Sequence, residues 1–451
     1  MRDEGRGTRD ETAPRSGPSL VRALGVWALA ASIINVTIGG GIFRLPANMA
    51  AMLGAAAPLA YLVCAVAMGL IVLCIAEAGS RVSLTGGPYA YVEVAFGPFV
   101  GFLAGVLLWL LGTFAVAAVS TVFAGSVGQL FPAAGGRAAS AVLLAVTFAL
   151  VSAINIRGVR QGTRLNSVAT VAKLAPLLLL LVVGVFAIRS ENLAIAAPPA
   201  AGELARASIV LIFAFAGIES ALVPSGEVRD TAHTVPRAIF IAMAGITLLY
   251  IALQLVAQGV LGAAMREPAV AAAPLAAAAG AVVGPWGRTL LLLGAIVSTF
   301  GYLSGMTLAV PRALYALARD GFLPSAVGAV HERYHTPWVA IVVQAVIVYA
   351  LAVSSGFEKL AVLANLATLL LYFACCVASW ELRRRDVRAG GVPFRVPLAG
   401  VAPALACLAI AGLLTSITAR EWAVMAAVLV AASALFAITR GSRAAARARS
   451  A

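Results

Sequence analysis

Hydrophobic positions along this chain gather into long runs without charge, and the Arg, Asp and Glu residues concentrate in the short segments between them. A helix rising 1.5 Å per residue crosses about 30 Å of hydrocarbon in about 20 residues. Twelve runs reach that length, near 23–50, 57–76, 97–129, 138–155, 165–188, 206–226, 236–260, 288–314, 337–354, 359–380, 397–418 and 422–439. The pattern predicts an all-α integral membrane protein with 12 transmembrane helices. Two of the runs are interrupted. Val36-Thr37-Ile38-Gly39-Gly40-Gly41-Ile42-Phe43 places three consecutive glycines inside the first, and Phe213-Ala214-Phe215-Ala216-Gly217-Ile218-Glu219 places a glycine and an acid inside the sixth. Unwound backbone has no water to bond in lipid, so such a break is tolerated only inside protein or beside a cavity. A pair of interrupted spans is the sequence signature of a midplane binding site between two halves of a secondary transporter.

Composition agrees with the pattern: 62% of residues are hydrophobic and 11% charged, far from the balance of a soluble domain. Residues 1–22, with Arg2, Asp3, Glu4, Arg6, Arg9, Asp10, Glu11 and Arg15, read as a disordered polar tail rather than a cleavable signal peptide, and 441–451 as a basic tail. The net charge of +14 raises the question of a nucleic-acid partner. Its distribution answers otherwise. With an even number of crossings, Arg81, Arg157, Arg160, Arg164, Arg229, Arg237, Arg312, Arg319, Arg333, Arg383, Arg384, Arg385, Arg388, Arg395 and the arginines of both tails fall on one side. Arg44, Arg137, Arg189, Arg206, Arg266, Arg288, Lys359 and Arg420 fall on the other. This is the positive-inside asymmetry, and it predicts a multi-pass protein of the cell inner (plasma) membrane with both termini cytoplasmic and no nucleic-acid partner. Cys64, Cys74, Cys375, Cys376 and Cys407 lie in spans as small packing residues, and His233, His331 and His335 lie in loops. No metal or cofactor is expected.

Four segments carry a family resemblance. Gly86-Gly87-Pro88-Tyr89-Ala90-Tyr91-Val92-Glu93-Val94-Ala95-Phe96-Gly97-Pro98 looks like the second-to-third-span signature of amino acid permeases of the amino acid-polyamine-organocation (APC) superfamily. Gly226-Glu227-Val228-Arg229-Asp230 with Val235-Pro236-Arg237-Ala238-Ile239 resembles the family's end of span six. The run Pro311-Arg312-Ala313-Leu314-Tyr315 to Arg319-Asp320-Gly321-Phe322-Leu323-Pro324 resembles its exit from span eight, followed by Thr336-Pro337. The resemblance extends over about 23–440. It implies a 5+5 inverted repeat, about 23–188 and 206–380, with broken helices 1 and 6 and two extra C-terminal helices at about 397–439. The breaks observed in the first and sixth runs sit where such a repeat places equivalent elements.

The chemistry of the first break can be read from the residues. Unwinding at Gly39 to Gly41 frees amides at the start of the outer half-helix, where the helix dipole favours a carboxylate. Freed carbonyls near Thr37, Phe213 and Ala216 suit an ammonium group. Donors for one and acceptors for the other describe a site for an α-amino acid, and the resemblance implies the same positions. Thr37, Ile38, Gly39, Gly40, Gly41, Phe213, Ala216, Gly217 and Met306 are therefore the candidate substrate residues, between spans one, three, six and eight.

Two charged residues lie deep in the predicted membrane. Glu219 is 13 residues after Arg206 and 10 before Arg229, near the midplane, where an ionisable group costs about 2.5–3.5 kcal/mol on insertion scales. Two readings are open, a protonated brace and a group that couples substrate to protons or conformation; the resemblance to the family's antiporters implies the second. Lys173, one of only two lysines, is nine residues beyond Arg164. The resemblance implies a lysine packed beside the unwound first span where sodium-coupled relatives hold an ion, hence sodium independence. A fixed ammonium, a titrating coupling group and an ion pair with Glu219 are all open readings. Met306 stands where the resembled arginine/agmatine antiporters carry an aromatic, with Phe213 at the matching position in span six. Loss of one cation-π face, a contact of about 0.5–2 kcal/mol, argues for a neutral amino acid. Arg44 has three open roles: a vestibule salt bridge, snorkelling, or attraction of acidic substrates.

The expectation is thus a secondary transporter importing amino acids by alternating access, proton-coupled, with amino acid or amine exchange as the second mechanism. A membrane enzyme would need a nucleophile-base pair or metal cluster, and Ser298, Thr299 and the histidines form neither. A membrane amino acid sensor is the alternative of another class. The identity of the amino acid and the oligomeric state are not written in the sequence.

Overall fold

The computed structural model describes residues 25–82, 87–157, 174–195, 197–217, 228, 230–319, 321–388, 392–396 and 400–439. Both predicted tails, Lys173 and Glu219 lie outside the described residues. The architecture is all-helical, and no β-strand forms among the described residues. In an apolar chain this follows from the backbone, whose N–H and C=O groups are satisfied within each helix.

The first run resolves into α1 (Val26–Thr37), a 3-10 turn (Gly40–Phe43) and α2 (Leu45–Leu53). Then come α3 (Ala57–Arg81), α4 (Pro88–Phe96), α5 (Pro98–Leu130), α6 (Arg137–Arg157), α7 (Leu174–Ala187) and α8 (Ala201–Phe215). They are followed by α9 (Thr231–Leu261), α10 (Pro274–Val283), α11 (Pro285–Ala309), α12 (Pro311–Arg319), α13 (Trp338–Ser354), α14 (Phe357–Arg384), α15 (Val401–Leu414) and α16 (Ala419–Ile438). Among the described residues, seven helical stretches are long and apolar enough to cross a membrane, and α1, α7, α10, α13 and α15 are shorter apolar helices. The predicted 288–314 run ends early as one helix. α11 stops at Ala309 because Pro311 has no N–H to give and its ring opposes the preceding turn, so it opens α12 instead.

α5 runs along α14 and α11, α3 along α9, and α1 along α9, with α8 lying between α3 and α14. The most apolar window of α14 is 78% buried and that of α16 only 11%, so α14 belongs to the centre and α16 to the periphery. Val430 and Ile438 of α16 face outward, toward lipid in a membrane.

One local structure occurs twice. The short helix α4 ends at Gly97 (φ 85°, ψ −179°), and Pro98 opens α5; α10 ends at Gly284 (φ 82°, ψ −169°), and Pro285 opens α11. Glycine is needed at both corners because that φ is costly for any side chain, and proline suits the first helical position, whose N–H has no partner.

Near the C-terminal end of α3, Glu77 and Arg81 are buried together, each 1% exposed. Oε1 of Glu77 accepts from Arg81 Nε (3.1 Å) and Nη2 (2.9 Å) and from Arg383 Nε (2.8 Å), while Oε2 accepts from the Val396 amide (3.1 Å). Arg81 Nη1 and Arg383 Nη2 in turn donate to the carbonyls of Val387 and Val396. The cluster ties α3 to the end of α14 and to the segment after it.

Candidate functional site

α1 is stopped at Thr37, and its chain turns sharply before any glycine is reached. Ile38 takes φ −73° and ψ 77°, the geometry of an inverse γ-turn, and the Gly39 amide donates back to the Thr37 carbonyl at 2.7 Å. Gly39 is extended, and Gly40 and Gly41 already belong to the 3-10 turn that leads through Arg44 into α2. The break is therefore narrower than the three glycines suggest and lies at Ile38 and Gly39.

The glycines are required chiefly by neighbours. A Cβ on Gly40 would lie 2.9 Å from Cγ1 of Val119 in α5 and 3.1 Å from Cγ2 of Thr299 in α11. One on Gly41 would meet the Phe213 ring at 3.0 Å, and one on Gly39 only the Tyr302 ring at 3.7 Å. At the second break α8 ends at Phe215, Ala216 is extended, and Gly217 takes φ +126° with its Cα side against Thr37 and Val36. Positive φ, and the 3.2 Å that would separate an added Cβ from the Thr37 Cα, leave room for glycine alone.

The two breaks are held in register by one hydroxyl. Tyr250 of α9, fully buried, lies within donor distance of the Thr37 carbonyl (3.2 Å) and the Ala214 carbonyl (3.0 Å). The Thr37 carbonyl accepts from the Gly39 amide and shares the single Tyr250 proton with the Ala214 carbonyl.

Between the breaks lies a cavity of about 40 Å³. Thr37, Gly39, Gly40, Gly41, Phe213, Ala216, Gly217 and Met306 all line it, so the structure brings these candidates to one place. Ile38 does not line it. Centred on the γ-turn, it is 1% exposed and packed in the apolar core. The remaining wall comes from Val36, from Leu111, Ala115 and Val119 of α5, from Tyr302 of α11, and from Ala364, Asn365 and Thr368 of α14. None of the described lining residues is charged. Sequence reasoning missed the α14 wall altogether. Its available signal was Asn365 and Thr368, two polar residues three positions apart on one face of an apolar run. Tyr302, one turn before Met306, brings a ring to the α11 wall, so that wall is not without an aromatic.

Arg44 is half-buried, and its Nη1 donates to the Ala272 carbonyl at 3.3 Å, a partner none of the sequence readings anticipated. Ser298 and Thr299 stand four and three residues before Tyr302 of the cavity wall, and Thr299 donates its hydroxyl to the Ala295 carbonyl at 2.6 Å. Cys64, Cys74, Cys375 and Cys376 are buried and reduced, and Cys407 is half-buried.

The sequence model of the amino acid permease family matches residues 24–439. The chain is 29% identical over 412 residues to the methylthioribose transporter of Bacillus subtilis (strain 168), covering 87% of each protein. It is 28% identical over 407 residues to the serine/threonine exchanger SteT of the same organism, covering 87% of this chain and 90% of that one. Similarity to the arginine/agmatine antiporter of Chlamydia caviae is 29% over 342 residues, 70% of this chain and 68% of that one. The family match takes in every helix described above, and it makes this a multi-pass membrane protein that transports rather than an enzyme. By that match over nearly its whole length, and by the paired helix breaks around one cavity, the chain belongs to the amino acid permease family of the APC superfamily.

Proposed function

We propose that the protein imports a neutral amino acid across the cell inner membrane by alternating access, independently of sodium and coupled to protons. The observation that carries this reading is the single cavity on which both broken helices converge. The amides of Gly40 and Gly41 open the helical stretch that continues into α2 and have no partner within their own turn, which suits a substrate carboxylate. The last carbonyls of α8, around Phe213 and Ala216, suit its ammonium group. The described lining residues carry no charge, which favours a side chain without charge.

In this reading the chain crosses the membrane twelve times within 23–440, with both termini cytoplasmic. Its two inverted repeats occupy about 23–188 and 206–380, and the two extra helices occupy about 397–439. The matched Gly-Pro corners at Gly97 and Gly284 support the repeat, since each precedes the third span of its half. Lys173 and Glu219 are the proposed groups for proton coupling or gating. Exchange is the second reading, favoured by the names of two relatives, a serine/threonine exchanger and an arginine/agmatine antiporter.

The test is uptake of a panel of labelled amino acids into proteoliposomes, with and without an inward proton gradient, with sodium replaced by choline, and with or without internal amino acid. Gradient-driven uptake into empty vesicles that survives choline is expected. Uptake only into preloaded vesicles assigns exchange instead, and a sodium requirement sinks the role inferred for Lys173.

A further inference from the structure

Among the described residues, six buried side-chain atoms have no hydrogen-bond partner: Thr37 Oγ1, Asn365 Oδ1 and the hydroxyls of Ser152, Ser208, Ser298 and Ser379. Two of these, Thr37 and Asn365, belong to residues that line the same cavity, one from α1 and one from α14. An orphaned buried polar atom costs about 1–3 kcal/mol, so each asks for a partner.

The orientation of Asn365 is determined by its surroundings. The residue is fully buried, and its Nδ2 donates to the carbonyls of Ile209 (2.6 Å) and Val210 (3.4 Å) in α8. Turning the amide over would set Oδ1 against those two carbonyl oxygens, so the oxygen is the atom left bare. It can only accept. Thr37 is 3% exposed, and its hydroxyl departs from the habit of the other buried threonines. Thr299, Thr307 and Thr368 each return the hydroxyl to the carbonyl four residues earlier, at 2.6, 2.7 and 2.9 Å. Thr37 makes no such bond and can donate or accept.

Resting on the reading of this cavity as the amino acid site, we propose that it selects an amino acid whose side chain carries a hydroxyl, with Asn365 and Thr37 as the specificity-determining residues. A substrate hydroxyl donates to Asn365 Oδ1 and accepts from Thr37 Oγ1, which completes both groups at once. An aliphatic side chain completes neither. A carboxylate would face the amide oxygen with no proton to offer, and a cationic side chain would find no counter-charge among the described lining residues.

Threonine and valine are near-isosteric and differ in the hydroxyl, so their competition against labelled substrate in the reconstituted wild-type protein reads the proposal directly. Threonine is expected to bind about tenfold or more tightly than valine. Thr37→Val, which conserves shape, and Asn365→Leu are each expected to bring the ratio to about twofold by weakening threonine alone. Thr37→Val carries the test if Asn365→Leu fails to yield a monodisperse protein. Equal affinity for threonine and valine in the wild type overturns the proposal and leaves the amino acid reading standing. An equal loss of both ligands in the variants also overturns it, because the two oxygens then hold the substrate's ammonium group or brace the wall. If no amino acid in the panel binds, the reading beneath the proposal falls instead.

Discussion

At the Glu77 cluster both carboxylate oxygens are engaged, by two arginines and a backbone amide, and the arginines give their remaining reach to carbonyls. In the cavity between α1 and α8, as buried as that cluster, Thr37 and Asn365 each keep an oxygen with no partner. Burial alone therefore does not separate structure from function here. Saturation does: a completed network holds helices together, and an incomplete one beside a cavity waits for a ligand.

The difference can be broken experimentally, and the largest effect is expected at the saturated end. Glu77→Ala strands buried Arg81 and half-buried Arg383 without their carboxylate and should lower stability by about 3–5 kcal/mol, seen as a collapse of the folded fraction during thermal denaturation in detergent. Stability close to wild type would show that the cluster is not a fastening. Gly40→Leu comes next. Its side chain must displace Val119 and Thr299, at a cost of about 1–3 kcal/mol, and it should abolish amino acid binding in a protein that still inserts in the membrane. Normal binding would separate the glycine turn from the site.

Tyr250→Phe should cost about 1 kcal/mol, because one hydroxyl serves both breaks and the Ala214 carbonyl loses its donor. Its sharper readout is transport: uptake should fall more than equilibrium binding if the two broken helices move as one, and a parallel change in both would assign Tyr250 to packing. The smallest effect is expected one residue before Gly40. At Gly39 a Cβ meets nothing closer than the Tyr302 ring, at an ordinary 3.7 Å, and the backbone is extended. Gly39→Ala should stay within about 0.5 kcal/mol of wild type and bind amino acid, and a loss as large as that of Gly40→Leu would place a ligand against that Cα.

The parts of the site that the sequence disclosed are those carried by helix breakers. Gly39 to Gly41 and Gly217 announce themselves because glycine inside an apolar run is costly unless something requires it; Val119, Thr299 and Phe213 require it at Gly40 and Gly41, and positive φ beside Thr37 and Val36 requires it at Gly217. Met306 followed from the resemblance and does line the cavity. Ile38, named with the glycines, does not line the cavity, because its side chain packs in the apolar core. Tyr302 and Val119 were invisible for a different reason: a tyrosine or valine in an apolar span has the same local sequence whether it faces lipid, a neighbouring helix or a cavity, and Asn365 and Thr368 offered only their spacing on one face. The Glu77–Arg81 pair was readable at its i,i+4 spacing, but Arg383 lies 306 residues from Glu77, and no local pattern joins them.

Apolar run length and the ban on unsatisfied backbone in hydrocarbon determined, from the sequence alone, that this is a helical membrane protein and where two of its helices must be interrupted. Four ordered motifs added the family. Which helices converge on the breaks, which hydroxyl staples them, and which buried oxygens stay bare were decided by tertiary structure. Those properties belong to pairs of atoms distant along the chain, and helix packing alone brings them within hydrogen-bonding range.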